Sequence, residues 1–281
     1  MKEIPAPLIT DTVEQLCLKA AFDLPAGVES LLREKAAQEE SAFGQYAFDQ
    51  IMKNIDCARS EQLALCQDTG TAIVFAEVGQ DVHITGGDFS EAVHEGVRRG
   101  YERGYLRKSI CGDPLFDRKN TGDNTPAVIH CEIVPGDALR LSLLPKGGGS
   151  ENMGRLAMLV PSAGLAGVKA FVLETVTLAG GNPCPPVIVG VGVGGTMDQV
   201  ALLAKRALTR SAGGANPDPR YAALEAEWLA AVNATGIGPQ GLGGRVTALA
   251  VHIEYRPTHI TQLPVAVCLN CHAARFAEAV L

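Results

Sequence analysis

Leu65-Cys66-Gln67-Asp68-Thr69-Gly70 crowds a thiol, an amide, a carboxylate and a hydroxyl against a turn-permitting glycine. The apolar run Thr71 to Ala76 follows at once and suits a buried strand. The polar cluster therefore stands at the edge of a rigid element, where a site can be held in place. Taken alone, the stretch also fits a buried small thiol followed by an ordinary Asp-Thr-Gly turn. Two more cysteines stand in stiff or turn-rich sequence. Cys184 lies in Gly180-Gly181-Asn182-Pro183-Cys184-Pro185-Pro186, where the prolines fix the backbone on both sides. Cys271 closes Cys268-Leu269-Asn270-Cys271-His272.

That last run is a literal C-x-x-C-H. Covalent haem attachment would fit it, but belongs to exported proteins, and Met1-Lys2-Glu3-Ile4-Pro5 lacks the basic-then-apolar order of a signal peptide. A zinc site would want a second ligand pair at short spacing, and no other cysteines pair that way. A thioredoxin-like motif would stand early in a small fold, not near residue 270. Cys66, Cys184 and Cys271 remain as widely separated thiols. Three thiolates would leave one iron of a four-iron cluster without a protein ligand, and an open iron is a Lewis acid.

The elements that must position these groups are legible in outline. Asp11 to Ala21 reads as a helix capped by Asp11, with Glu14 completing a capping box. A second helical region runs from about Glu29 to Cys57, ended by Asn54-Ile55-Asp56. Val93, Val97, Tyr101 and Tyr105 mark one face of a helix over Ser90 to Tyr105, with Ser90 as its cap. Arg107 lies just past its end, where a cation suits the helix dipole. Ala127 to Ile133 and Ala138 to Leu144 flank Pro135-Gly136-Asp137 and read as a β-hairpin.

Lys146-Gly147-Gly148-Gly149-Ser150 offers backbone N–H groups and a positive charge to an anion, or is a flexible connection. Helices are expected over Val168 to Ala179, Thr196 to Leu208 and Asp218 to Ala234, with strands over Val187 to Val193 and Val246 to Tyr255. Gly190 to Gly195 matches G-x-G-x-x-G. A nucleotide-binding oxidoreductase would need an acidic residue closing a second strand some twenty residues on. That region is instead a helix end and the loop from Ser211 to Pro217, so a close strand-to-helix packing turn is the better reading.

The totals bound the function. The chain has 281 residues, 47% of them hydrophobic, enough for a sizeable core. The formal charge of −7 disfavours nucleic acid and anionic membranes as partners. No stretch reads as long and apolar enough to span a bilayer. Eight cysteines without an export signal suggest a cytoplasmic protein with reduced thiols.

Taken together, the motifs resemble the α-type catalytic half of the iron–sulfur hydro-lyases, class I fumarase and L-tartrate dehydratase. The matching runs appear in family order: Cys66 to Thr71, Leu106-Arg107, Asn120-Thr121-Gly122, Lys146 to Ser150, Cys184-Pro185-Pro186, Gly194-Gly195-Thr196, Gly236 to Gly244, His259 and Cys271-x-Ala273-x-Arg275. The helical first sixty residues carry less of the match. The resemblance implies an α+β fold, with a helical part over 1–60 and a cluster- and substrate-binding part over 61–281 of one domain, built on mixed or antiparallel sheet. It implies that Cys66, Cys184 and Cys271, and not Cys268, ligate a 4Fe–4S cluster.

By the same resemblance, Gln67, Asp68, Arg107, Lys146, Gly149 and His259 line a dicarboxylate pocket, with Asp68 or His259 moving the proton. Reversible dehydration of L-malate to fumarate is the leading reaction, and L(+)-tartrate dehydration the alternative. The resemblance also implies a separate β subunit that completes the site, in an α2β2 assembly, and an oxygen-labile cluster.

Overall fold

The computed structural model describes residues 1–281. In chain order its elements are β1 (Lys2–Pro5), α1 (Ala6–Phe22), α2 (Ala26–Ala36), α3 (Ala42–Glu61), β2 (Thr71–Gly79), β3 (Val82–Thr85), α4 (Phe89–Arg103), β4 (Val128–Val134), β5 (Leu139–Lys146) and α5 (Gly148–Glu151). There follow β6 (Arg155–Leu159), α6 (Gly164–Ala179), β7 (Val187–Gly194), α7 (Met197–Ala207), α8 (Pro219–Asn233), β8 (Ala248–Arg256), β9 (Leu263–Asn270) and β10 (Ala277–Val280). The chain forms two compact units from interleaved segments. One holds Met1–Pro25, Asn54–Gly148 and Arg275–Leu281; the other holds Ala26–Lys53 and Gly149–Ala274. The first sixty residues are helical apart from β1, which opens them, and the segments that join their helices.

In the first unit a four-stranded mixed sheet runs β10-β5-β2-β4, and β1 pairs β3 in parallel. The expected hairpin does not form. β2 lies between its two arms, parallel to β4 and antiparallel to β5. Pro135-Gly136-Asp137 turns the chain, but β2 brings six buried or half-buried apolar side chains that both arms need as a neighbour. Helices α1 and α4 cross closely because Gly96 and Gly100 have no side chain. A Cβ at either would come within 2.6 Å of Val13 Cβ or Cys17 Cβ. Ile9, Val13, Val93, Val97, Leu141 and Leu143 fill the core beside them.

Both helix starts differ from expectation. α1 begins five residues before Asp11, with proline in its first turn, where a missing N–H costs nothing. Asp88, not Ser90, caps α4, accepting the Glu91 N–H at 2.9 Å. The region from Glu29 to Cys57 is two helices. The second runs past Asn54 to Glu61, because the Asn54 side chain donates to Leu65 O instead of breaking the helix.

The second unit is built on the sheet β6-β9-β7-β8, in which β7 is parallel to β8 and antiparallel to β9. The glycines of β7 serve packing, as expected. A Cβ on Gly190 would stand 2.3 Å from Ala204 O, and one on Gly192 2.2 Å from Val200 O, so α7 lies directly on the strand. Thr196 and Gln199 close a capping box at its start. Val172, Val176, Val189, Val191, Trp228 and Leu269 centre the core.

One sequence expectation about membranes is corrected here. Pro161–Ala179 is 19 residues long with a mean hydropathy of 1.3, enough by length and composition to cross a bilayer. In this fold it puts Val168, Val172 and Val176 into the core, as an apolar helix of a folded unit does.

Glu225 on α8 organises the opposite flank. Its carboxylate accepts the Ile253 N–H at 2.7 Å, the Asn216 N–H at 3.1 Å and the Arg210 guanidinium at 2.5 Å. Burial pushes this carboxyl up, but the Arg210 pair and the two N–H donors outweigh it and hold it below the ordinary glutamate range.

Candidate functional site

The register of the first sheet makes the site. Thr71, the first residue of β2, pairs Lys146, the last residue of β5. The Cys66–Gly70 turn and the glycine run after β5 therefore leave the sheet side by side. Gly70 is obligatory there. Its φ is +80°, and a Cβ would stand 2.6 Å from the Lys146 carbonyl carbon. Asp68 bridges the two turns, with Oδ1 accepting the Gly70 N–H at 3.2 Å and Oδ2 the Gly148 N–H at 2.7 Å. The carboxylate is thus fixed in orientation while its residue stays half exposed.

Two residues that sequence reasoning did not place in the site hold this turn from behind. The buried Tyr101 hydroxyl donates to Thr69 O at 2.9 Å and to Gly70 O at 3.0 Å. Burial drives that phenol far above its usual range, so it remains a donor. Asn124, wholly buried, donates to Gly70 O at 3.1 Å and accepts the Ser109 N–H at 2.8 Å. Only the four-residue spacing of Tyr101 was visible in sequence, and it marks a core face as readily as a hydrogen-bond donor. Tyr101→Phe is expected to cost about 1–3 kcal/mol by leaving buried carbonyls under-satisfied. Urea unfolding would measure it, and an unchanged midpoint would show that the hydroxyl does not support the turn.

Arg107 is positioned through its backbone, since Thr69 Oγ1 donates to Arg107 O at 2.6 Å. Its side chain is exposed and in no ion pair, as is suited to a guanidinium awaiting a carboxylate. Lys146 is buried, with Nζ 3.4 Å from Gly147 O. Gln67 is exposed beside Asp68.

The second unit brings two of the expected cluster cysteines together. Cys184 is exposed, at φ +54°, on the turn before β7. The His272 N–H, next to Cys271, donates to Cys184 O at 3.2 Å. Sheet register explains this: Ile188 near the start of β7 pairs Asn270 at the end of β9. Gly149 stands over the same turn, the position of its absent Cβ lying 3.6 Å from Asn182 O. Cys268 faces elsewhere, with Sγ 3.7 Å from Glu151 Oε2 and 3.8 Å from Lys205 Nζ.

His259 is not part of this group. It follows β8, and Arg256 at the end of β8 pairs Gly194, the far end of β7. The eight residues of β7 separate it from Cys184 by roughly 25 Å of strand. Its Nδ1 lies 2.8 Å from Thr261 Oγ1 and accepts the Thr261 N–H at 3.3 Å.

No disulfide joins any of the eight cysteines. No three His, Cys, Asp or Glu side chains stand close enough to share one metal ion. A four-iron cluster asks for something different, because each cysteine binds its own iron and the sulfurs stay apart. The exposed Cys184 and the half-buried Cys271 in the second unit, and the half-buried Cys66 in the first, are each donors of the soft thiolate type such clusters use.

Comparison with known proteins follows the same lines. A family model described as fumarate hydratase (Fumerase) matches residues 10–280. The chain is 41% identical over 274 residues to a Methanocaldococcus jannaschii protein named "Putative L(+)-tartrate dehydratase subunit alpha", covering 96% of each. It is 32% identical over 271 residues to an Escherichia coli protein named L(+)-tartrate dehydratase subunit alpha, covering 95% of this chain and 88% of that one. A Shigella sonnei protein of the same name is 31% identical over 271 residues, with the same coverage.

Proposed function

The chain belongs to the fumarate hydratase (Fumerase) family, the α-type iron–sulfur hydro-lyases, and from that premise we propose that it is the α subunit of a two-chain enzyme that dehydrates L-malate to fumarate. Cys66, Cys184 and Cys271 would hold its 4Fe–4S cluster. When bound, such a cluster supplies an iron without a protein ligand, which polarises a hydroxyl and makes it a better leaving group. The rest is work for the chain's own side chains. A 2-hydroxy dicarboxylate loses hydroxide from one carbon and a proton from the next, with no net redox change.

The observation that carries this reading is the seat of Asp68. Its carboxylate is held by two backbone N–H groups across two turns, 3.2 and 2.7 Å away, on a half-exposed residue. A base fixed this way meets the first requirement of proton transfer, which is geometry. Arg107 is free to grip a carboxylate through its guanidinium fork. His259 lies at the other end of β7 and carries no proton in this scheme. The naming of the relatives as α subunits supports a separate β chain that completes the pocket; the α2β2 assembly and the cytoplasmic location are part of the proposal.

A second reading, L(+)-tartrate dehydration, is favoured by the names of those same relatives. Tartrate differs from malate by one hydroxyl. A site built to bond that hydroxyl rejects the analogue lacking it by roughly 10⁴-fold or more, whereas an apolar pocket discriminates only about 100-fold. Anaerobically reconstituted α and β chains assayed with both acids decide the matter. Malate is expected to give the higher kcat/KM. A tartrate preference would transfer the assignment, and turnover of neither acid would end it.

A further inference from the structure

We propose that Arg275 binds the substrate carboxylate attached to the carbon that loses its proton, and steadies the charge that builds there. This rests on the hydro-lyase reading and adds a residue to it. Arg275 lies in the first unit, just before β10, with only 2% of its surface exposed. Its Nε and Nη1 are enclosed without any hydrogen-bond partner. Arginine cannot shed its charge, so a buried guanidinium without an acceptor is costly. A group like this is retained where an anion arrives to complete it.

Its position says which anion. A Cβ on Gly147 would stand 3.6 Å from Arg275 Nη2 and 3.1 Å from Asp68 Oδ2. The two charged groups thus flank one glycine, and a side chain there would stand in contact with both. They form no ion pair. Both act on the same buried hydroxyl, Tyr101, with opposite sign. A base and a cation on either side of one small gap suit proton abstraction next to a carboxylate. The C–H bond breaks and its proton goes to Asp68. The electron pair spreads into the neighbouring carboxylate, whose added charge Nη2 meets, and then expels the hydroxyl on the next carbon. Proton and hydroxide together make the water released.

The test uses the assembled α and β chains with iron content and melting temperature recorded for each variant. Succinate, a dicarboxylate with nothing to eliminate, is titrated calorimetrically, and L-malate turnover is followed in parallel. Arg275→Lys is expected to weaken succinate binding roughly 10–100-fold, the loss of one charge-assisted hydrogen bond. It should also raise the deuterium isotope effect on malate labelled at the carbon that loses hydrogen, a readout a purely structural arginine would not move. Gly147→Ala, at a backbone angle that admits a methyl, sets that methyl 3.6 Å from Nη2 and 3.1 Å from Asp68 Oδ2, and should weaken binding likewise.

Wild-type succinate affinity in a folded Arg275→Lys variant overturns the proposal. If that variant does not fold, wild-type affinity in Gly147→Ala overturns it and a weakened one supports it. A protein that binds succinate through Arg275 but dehydrates neither malate nor tartrate would sink the substrate reading and leave only carboxylate binding by Arg275 standing. Absence of dicarboxylate binding in the wild type removes both.

Discussion

Replacing Cys184 by Ser is expected to abolish turnover and the visible absorption of an iron–sulfur cluster in anaerobically assembled protein, with the melting temperature little changed. Cys184 is exposed on a turn and supports no core, so the substitution costs little packing. A serine hydroxyl stays protonated at neutral pH and is a hard donor, whereas iron–sulfur clusters take thiolate. Cys66→Ser and Cys271→Ser should behave in the same way. Cys268→Ser is the internal control. Its thiol lies against Glu151 and Lys205, and its loss should leave the iron content intact. Full iron and sulfide in Cys184→Ser, or their loss in Cys268→Ser, would contradict the ligand set.

The other large effect concerns Glu225. Removing it as Glu225→Ala strands Arg210 and two backbone N–H groups in a buried site. Breaking a buried pair from one side costs about 3–5 kcal/mol. For a chain of this size that lowers the melting temperature on the order of 10 °C. The charge also sets a pH dependence. The folded-state pKa of Glu225 is depressed, so its contribution is complete above the unfolded value of about 4.3 and fades as pH falls below it. Glu225→Gln should flatten that acid limb. A mutant that melts with the same slope below pH 5 as the wild type would show that Glu225 is not the group responsible.

How much of this was legible in the residues depends on how local each signal is. β2, α6, α7 and α8 follow from apolar runs and periodicity, and each forms within a few residues of expectation. The role of Gly190 and Gly192 in helix packing also follows, because small residues at every second position of a strand leave one face open. The hairpin failed because a Pro-Gly-Asp turn specifies that the chain reverses, not which strand fills the space between its arms. β1, β3, β6 and β10 are four or five residues each, too short to show a period.

The site divides along the same line. Asp68 and Gly70 announce themselves by type and adjacency. Tyr101, Asn124 and Arg275 do not, since a hydroxyl, an amide and a guanidinium acquire their meaning only from what the fold brings next to them. The resemblance puts His259 in the substrate pocket, and the register of β7 sets it at the end of that strand away from Cys184.

The pairing of β10 with β5 has a consequence for biosynthesis. Leu141 and Leu143 on β5 stand at the middle of the chain, yet the strand that closes their outer edge is made of residues 277–280. While translation is under way, that apolar border has unpaired amide and carbonyl groups, an invitation to other nascent chains. The first unit therefore matures last although it starts first. A ribosome-stalled fragment ending before residue 277 should be trapped by chaperones or degraded, and should gain protease resistance once residues 277–280 emerge.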